Sequence, residues 1–176
     1  QTIAVLGAGT MGNGIAHVCA RSGLSVLLYD INQPAVDRGL ATIHKNLARE
    51  VAKEKLTEQQ ADEAQARITS TINVADLAVA DFAIEAATER FEIKSALFRD
   101  LDRILRPQTI LATNTSSISI TKLAAQTQRP GQVIGMHFFN PVPVMQLVEV
   151  IRGLQTSQAT FDSVHALVQQ LGKTPV

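Results

Sequence analysis

At 176 residues and 45% hydrophobic composition the chain suits one ordinary domain with a real core, and a disordered segment is excluded. Sixteen basic residues balance sixteen acidic ones, so no broad positive field is available for nucleic acid or an anionic membrane, and any anion must be bound locally. A lone cysteine, Cys19, excludes an internal disulfide and a multi-thiolate metal site. With no apolar run near the roughly 20 residues of a membrane span and no secretory signal, the expected compartment is the cytoplasm.

In chain order, the apolar run Ile3 to Leu6 enters Gly7-Ala8-Gly9-Thr10-Met11-Gly12, and a helical pattern leaves it. The expected unit is strand, tight turn, helix. Gly7 permits the turn, Gly9 lets the backbone approach a pyrophosphate, and Gly12 lets the helix pack closely on the strand, with free N–H groups facing the phosphates. Glycine spacing alone also fits a simple turn. A second apolar run, Val26 to Tyr29, ends in Asp30, about 20 residues on, where an acid would hydrogen-bond the adenosine ribose and repel a 2′-phosphate. The cofactor expected is therefore NAD rather than NADP. Cys19, on the apolar side of the first helix, reads as a buried structural thiol.

Asn32-Gln33-Pro34 signals a helix start, and Val36, Leu40, Ile43, Leu47 and Val51 repeat at spacings of three and four. Thr57 and Gln60 read as a capping box for a second helix through about Arg67. Together they predict a helical hairpin inserted between strands 2 and 3. Lys53 and Lys55 lie near its tip, either as solvated helix-end charges or as phosphate ligands for a long substrate. Ile68 to Ile72 and Asp81 to Ala87 are expected as buried parallel strands. Phe91, Leu97, Leu101 and Ile104 mark a helix stopped at Arg106-Pro107, and Thr109 to Thr113 is a strand running into Asn114-Thr115-Ser116-Ser117.

The alternation of strands and helices after a glycine turn predicts an α/β fold, a Rossmann-type doubly wound, mostly parallel sheet. Ligands of such sheets sit outside the carboxyl ends of the strands, where Glu89, Lys94 and Asn114 to Ser117 fall. Each of these has two readings: a site residue, or an ordinary helix cap or first-turn charge.

Further on, a strand ends at His137, prolines 141 and 143 force a bend, and Met145 to Ile151 returns as an antiparallel strand. Glu149 shares a face with Leu147 and Met145 and is expected to be partly buried there. Pairing with His137 would offset the cost of that burial and hold the imidazole in one tautomer, with a basic nitrogen facing a substrate. A packed histidine beside an unrelated edge glutamate is the competing reading. His17, His44 and His165 sit in helical patterns and read as surface or packing residues. A last helix is expected from Thr156 to Leu171 and ends at Gly172.

Gly7 to Gly12, Asn114 to Ser117, His137-Phe138-Phe139-Asn140-Pro141-Val142-Pro143 and Leu147 to Val150 together resemble the NAD-binding domain of 3-hydroxyacyl-CoA dehydrogenases, particularly the bacterial short-chain 3-hydroxybutyryl-CoA type. The resemblance covers residues 1–176 and implies NAD-dependent oxidation of an L-3-hydroxyacyl-CoA to the 3-ketoacyl-CoA in fatty-acid metabolism. It implies His137 as the base or acid on the C3 hydroxyl, with Glu149 orienting it. Ser116 and Asn140 would contact the reacting oxygen or the nicotinamide side. Glu89, Lys94 and Asn114 would line the NAD site, beside Gly7, Ala8, Gly9, Thr10, Met11, Gly12 and Asp30. Lys53 would contact the coenzyme A moiety, with Asn46 and Lys55 as helpers. The family continues into a second, mostly helical domain that closes the acyl pocket and makes a homodimer, and that domain is expected beyond Val176. Two alternatives remain: a β-hydroxyacid dehydrogenase acting on a free acid, and a non-catalytic NAD-binding module.

Overall fold

A computed structural model describes all 176 residues. Eight strands form one sheet in the order β3-β2-β1-β4-β5-β6-β7-β8. They are β1 (Thr2–Leu6), β2 (Ser25–Tyr29), β3 (Ile68–Thr71), β4 (Phe82–Glu85), β5 (Ile110–Thr113), β6 (Val133–Phe138), β7 (Leu147–Arg152) and β8 (Thr174–Pro175). All neighbours run parallel except β6 and β7, which are antiparallel. Helices α1 (Thr10–Arg21), α2 (Gln33–Ala52), α3 (Glu58–Ala66), α4 (Phe91–Ile104), α5 (Ile120–Ala124) and α6 (Gln158–Gln170) cover both faces.

Alternation along β1 divides the core. Ile3 and Val5 pack with Ile15, Val18, Ile43 and Val164 of α1, α2 and α6, while Ala4 and Leu6 pack with Phe98, Leu101 and Leu123 of α4 and α5. Every residue of β4 and β5 is buried, as a central parallel strand requires.

Helix α2 starts where Asn32 accepts a hydrogen bond from Ala35 N–H at 2.9 Å, and it buries Val36, Ile43 and Leu47. The reciprocal Thr57–Gln60 capping box forms at the head of α3. Both helices lie between β2 and β3 in sequence, and α1 packs against each.

One expectation needs correction. β3 is not a buried strand: it pairs only with β2, at the sheet edge, and its Ile-Thr-Ser-Thr composition leaves Thr69 exposed. On β7, Glu149 is partly buried as expected, while Leu147 at 45% and Ile151 at 36% exposure flank it on the same face and Val148 turns into the core. Strand β8, unforeseen in the sequence, follows Gly172 and pairs with β7, and Val176 extends the ladder through bonds with Val148 and Val150.

Candidate functional site

The turn between β1 and α1 is shaped by glycine at two points. Gly7 has φ +104°, and a Cβ there would lie 2.7 Å from the Ala86 carbonyl oxygen. A Cβ on Gly12 would fall 1.6 Å from the Gly7 carbonyl oxygen, so α1 can approach the strand only without a side chain at that position. Around Gly9 nothing comes within 4 Å of such a Cβ, leaving open space above the helix start. Gly9 is also the N-cap of α1 and no side chain caps it, so the first-turn N–H groups are available to an anion.

Asp30, at the end of β2, is bound into this turn: its Oδ2 accepts the Ala8 N–H at 2.8 Å and its Oδ1 accepts the Ile31 N–H at 2.7 Å. One cleft beside it is lined by Ala8, Gly9, Thr10, Asn13 and Arg38, with Met11 half-buried on the same helix turn. A second, more apolar cleft is lined by Gly7, Tyr29, Ile31, Ile93 and Leu97. Burial, with the neighbouring Asp30 and Asp100 carboxylates adding to it, pushes the Tyr29 hydroxyl above its ordinary range, so it stays protonated.

At the carboxyl ends of β4 and β5 the structure reveals a residue the sequence reading missed. Glu85 is completely buried, and its carboxylate accepts four hydrogen bonds: two from Lys94 Nζ at 2.7 Å each, one from Thr113 Oγ1 at 2.7 Å and one from Ala87 N–H at 2.6 Å. Lys94, at 1% exposure, therefore points into the protein rather than standing as a free first-turn charge. Its Nζ also lies 3.5 Å from Glu89, which accepts the hydroxyls of Thr115 at 2.7 Å and Ser117 at 2.8 Å. Partial burial of Glu89 pushes its carboxyl upward. The hydroxyls of Thr115 and Ser117 and the charge of Lys94 outweigh this and hold it below the usual carboxylate range. An acidic residue in the otherwise apolar run Phe82 to Ala87 was the available signal, since a carboxylate in a central parallel strand needs a cation nearby.

His137 and Glu149 face each other across the antiparallel pair β6–β7, and His137 Nδ1 donates to Glu149 Oε1 at 2.8 Å. The imidazole side chain is 19% exposed and the carboxylate 46%, so the bond forms at the edge of solvent rather than in the core. With Nδ1 carrying the proton, Nε2 is left with a free lone pair. The Phe139 ring lies against the imidazole, centroids 4.8 Å apart. Asn114 Oδ1 accepts the Phe138 N–H at 2.8 Å and ties the end of β5 to the end of β6. Ser116 and Asn140 are both exposed, on the loops that follow β5 and β6.

A third cleft lies between the ends of α1 and α2 and the loop after His137. Arg21, Asn46, Arg49, Lys53 and Lys55 line it, facing Pro141, Pro143 and Val144. Glu50, in the same wall, accepts from Arg21 at 2.8 Å and also pairs with the buried His17. Partial burial raises the Glu50 carboxyl, and the bonds to His17 and Arg21 more than reverse this. Lys53 and Lys55 themselves are exposed and unpaired. Cys19 is buried and burial lifts its thiol to about 12, so it is an inert packing group.

Sheet order, glycine turn and acidic β2 terminus define a dinucleotide-binding domain of the doubly wound α/β class. More specifically, the chain belongs to the family described as 3-hydroxyacyl-CoA dehydrogenase, NAD binding domain, whose model matches residues 2–176, and its cofactor is NAD. It is 49% identical over 173 residues to a 3-hydroxybutyryl-CoA dehydrogenase of Bradyrhizobium diazoefficiens, covering 98% of this chain and 59% of that protein. It is 48% identical to a 3-hydroxyadipyl-CoA dehydrogenase of Escherichia coli over 100% of this chain and 37% of that one. The crystal structure of (S)-3-hydroxybutyryl-CoA dehydrogenase from Ralstonia eutropha superposes with a TM-score of 0.98 at 54% identity, over 99% of this chain and 62% of that one. The chain thus spans about three-fifths or less of the length of these relatives. No helix is long and apolar enough to cross a membrane.

Proposed function

We propose that this chain is the cofactor-binding and proton-transferring part of a dehydrogenase that oxidises a short-chain L-3-hydroxyacyl-CoA, such as 3-hydroxybutyryl-CoA, to the 3-ketoacyl-CoA. The observation that carries the reading is the His137–Glu149 bond, which leaves Nε2 free at the end of β6, a strand separated from the glycine-turn strand β1 by β4 and β5.

The residues present suit NAD: an uncapped helix start under open space for the pyrophosphate, the Asp30 carboxylate for the ribose, and the apolar cleft at Ile31 and Ile93 for the adenine. When bound, NAD supplies the acceptor for the hydride that leaves C3. The chain's part is the proton. His137 Nε2 takes the proton from the C3 hydroxyl as the C3–O bond gains double-bond character, and the Glu149 carboxylate stabilises the positive charge then carried by the ring. Ser116 and Asn140, exposed on the two adjoining loops, are assigned to the reacting oxygen or the nicotinamide side, and Asn114 holds the loop of one to the strand of the other. Glu89, Lys94 and Glu85 together brace the strand ends beneath them.

The basic cleft supports a coenzyme A ester over a free acid. Lys53, helped by Lys55, Arg49 and Asn46, presents unpaired donors to phosphate, and the opposite wall is the loop that follows His137, so one substrate can reach both. We assign the closing of the acyl pocket to a further, mostly helical domain. The exposed Leu147 and Ile151 beside Glu149 support this, as does the greater length of the relatives.

The test is NADH release by the full-length protein given 3-hydroxybutyryl-CoA, free 3-hydroxybutyrate, or no substrate. The thioester alone should be oxidised. Equal turnover of the free acid would favour a β-hydroxyacid dehydrogenase, and NAD binding without turnover of either would favour a non-catalytic module.

A further inference from the structure

Lys173 is the one buried lysine of this chain other than Lys94, at 7% exposure, and unlike Lys94 it has no carboxylate partner. Its Nζ instead donates to two backbone carbonyls, Val142 O at 2.7 Å and Met145 O at 2.5 Å. Burial, with the charge of Arg21 adding to it, pushes this amine below its ordinary range. A cation placed here works against its own desolvation, so an apolar side chain of similar length would serve packing better. What the amine supplies is a pair of donors aimed at two points of one loop.

That loop runs from Phe139 to Gln146. It begins two residues after His137, carries Asn140, and ends three residues before Glu149. Its turn is closed by the N–H groups of Val144 and Met145, which both donate to the Pro141 carbonyl, at 3.0 and 2.9 Å. Its far end is gripped by the residue next to Lys173, as Thr174 N–H donates to the Gln146 carbonyl at 2.8 Å. On the other side Val142 is buried against α1: a Cβ on Gly14 would come within 2.8 Å of the Val142 Cβ. Lys173 therefore ties the loop to the segment between α6 and β8, while Val142 seats it against α1, the helix that presents the glycine turn. The same loop supplies Pro141, Pro143 and Val144 to the basic cleft.

We propose that Lys173 is a positioning residue: its amine fixes the loop that joins His137 to Glu149 and carries Asn140, and so sets the geometry of the reacting end relative to the cofactor helix. The catalytic part of this assignment rests on the function proposed above, while the structural part does not.

The experiment compares wild type with Lys173→Met, which keeps the length and loses the donors, in the full-length protein. Amide hydrogen exchange at Val144 and Met145 should speed up by about tenfold or more, the scale of a lost hydrogen bond to a charged group, while exchange in β1 and α1 stays as in wild type. Turnover of 3-hydroxybutyryl-CoA should fall by a similar factor with KM for NAD unchanged, and Lys173→Arg, which keeps the donors, should recover part of it. Unchanged exchange at the two amides, or a uniform rise throughout the sheet, would overturn the proposal. Should Lys173→Met fail to fold, the wild-type ammonium decides by NMR: Nζ protons protected from solvent support the clamp, and freely exchanging ones refute it. Local loosening in an enzyme whose wild type oxidises no acyl-CoA would leave the clamp standing and sink the proposed function instead.

Discussion

The two halves of the site are built from different materials. Around the glycine turn the working groups are backbone N–H donors, held by close packing between β1, α1 and Ala86, and Asp30 is the one charged side chain bound into them. Around His137 the working groups are side chains at a solvent edge, and their placement depends on bonds from distant parts of the chain, including Asn114 and Lys173. Cofactor binding therefore tolerates few backbone changes, whereas the reacting end should be tunable by single side chains that leave the fold intact.

The sharpest break of this contrast is Gly12→Ala. Its Cβ would overlap a backbone carbonyl that cannot move without unseating the sheet, so the expected cost is above about 5 kcal/mol, comparable to the stability of a whole domain. Loss of the cooperative thermal transition would show it; a melting curve like that of wild type would mean the loop is softer than described. Next in size is Lys94→Met, which leaves the buried Glu85 carboxylate without its cation and should cost about 3–5 kcal/mol by denaturant titration. Adding Glu85→Gln to it should restore part of that loss, and no restoration would deny that the two are a pair.

The legible parts of the molecule were those in which a local pattern carries the physics. The glycine spacing, the acid ending β2, the caps at Asn32 and Thr57, and the return strand opposite His137 are each contained in a short stretch of sequence. Parts that depend on where a long side chain turns were not. Lys94 reads as a first-turn charge until its inward direction is known, and Glu85 cannot be given a partner nine residues away without it. Lys173 looks like a polar residue after a helix-ending glycine, because the carbonyls it holds lie about thirty residues back. The partial burial of Glu149 was legible from alternation, which tells which residues share a face, whereas the exposure of Leu147 and Ile151 beside it was not, because alternation does not tell what covers that face.

A smaller effect should follow from Asp30→Ala, which removes the proposed ribose acceptor and the Ala8 anchor together. NAD affinity measured by calorimetry should weaken by about 1–3 kcal/mol, and equal affinity of the variant and wild type would remove Asp30 from the cofactor site. The least effect belongs to Glu89. Its folded-state acidity is strengthened, so it contributes stability above the ordinary carboxylate range near about 4.3, and this is lost as pH falls through the lowered folded value. Glu89→Gln should lower stability slightly at neutral pH and flatten this part of the acid limb, the two curves converging once Glu89 is protonated; an unaltered acid limb would show that the bonds to Thr115 and Ser117 matter little.

The central claim is that His137 and Glu149 act as one proton-transferring unit, and turnover by the two single variants and the double variant of the full-length protein tests it most directly. His137→Ala should lower kcat by roughly 10²–10⁴-fold, the span of a positioned acid–base group, with NAD affinity little changed, and Glu149→Gln by a similar or smaller factor. The double variant should then be only slightly worse than the poorer single one. Losses that multiply in full, or near-normal turnover by His137→Ala, would make the 2.8 Å bond a structural contact and place the base elsewhere.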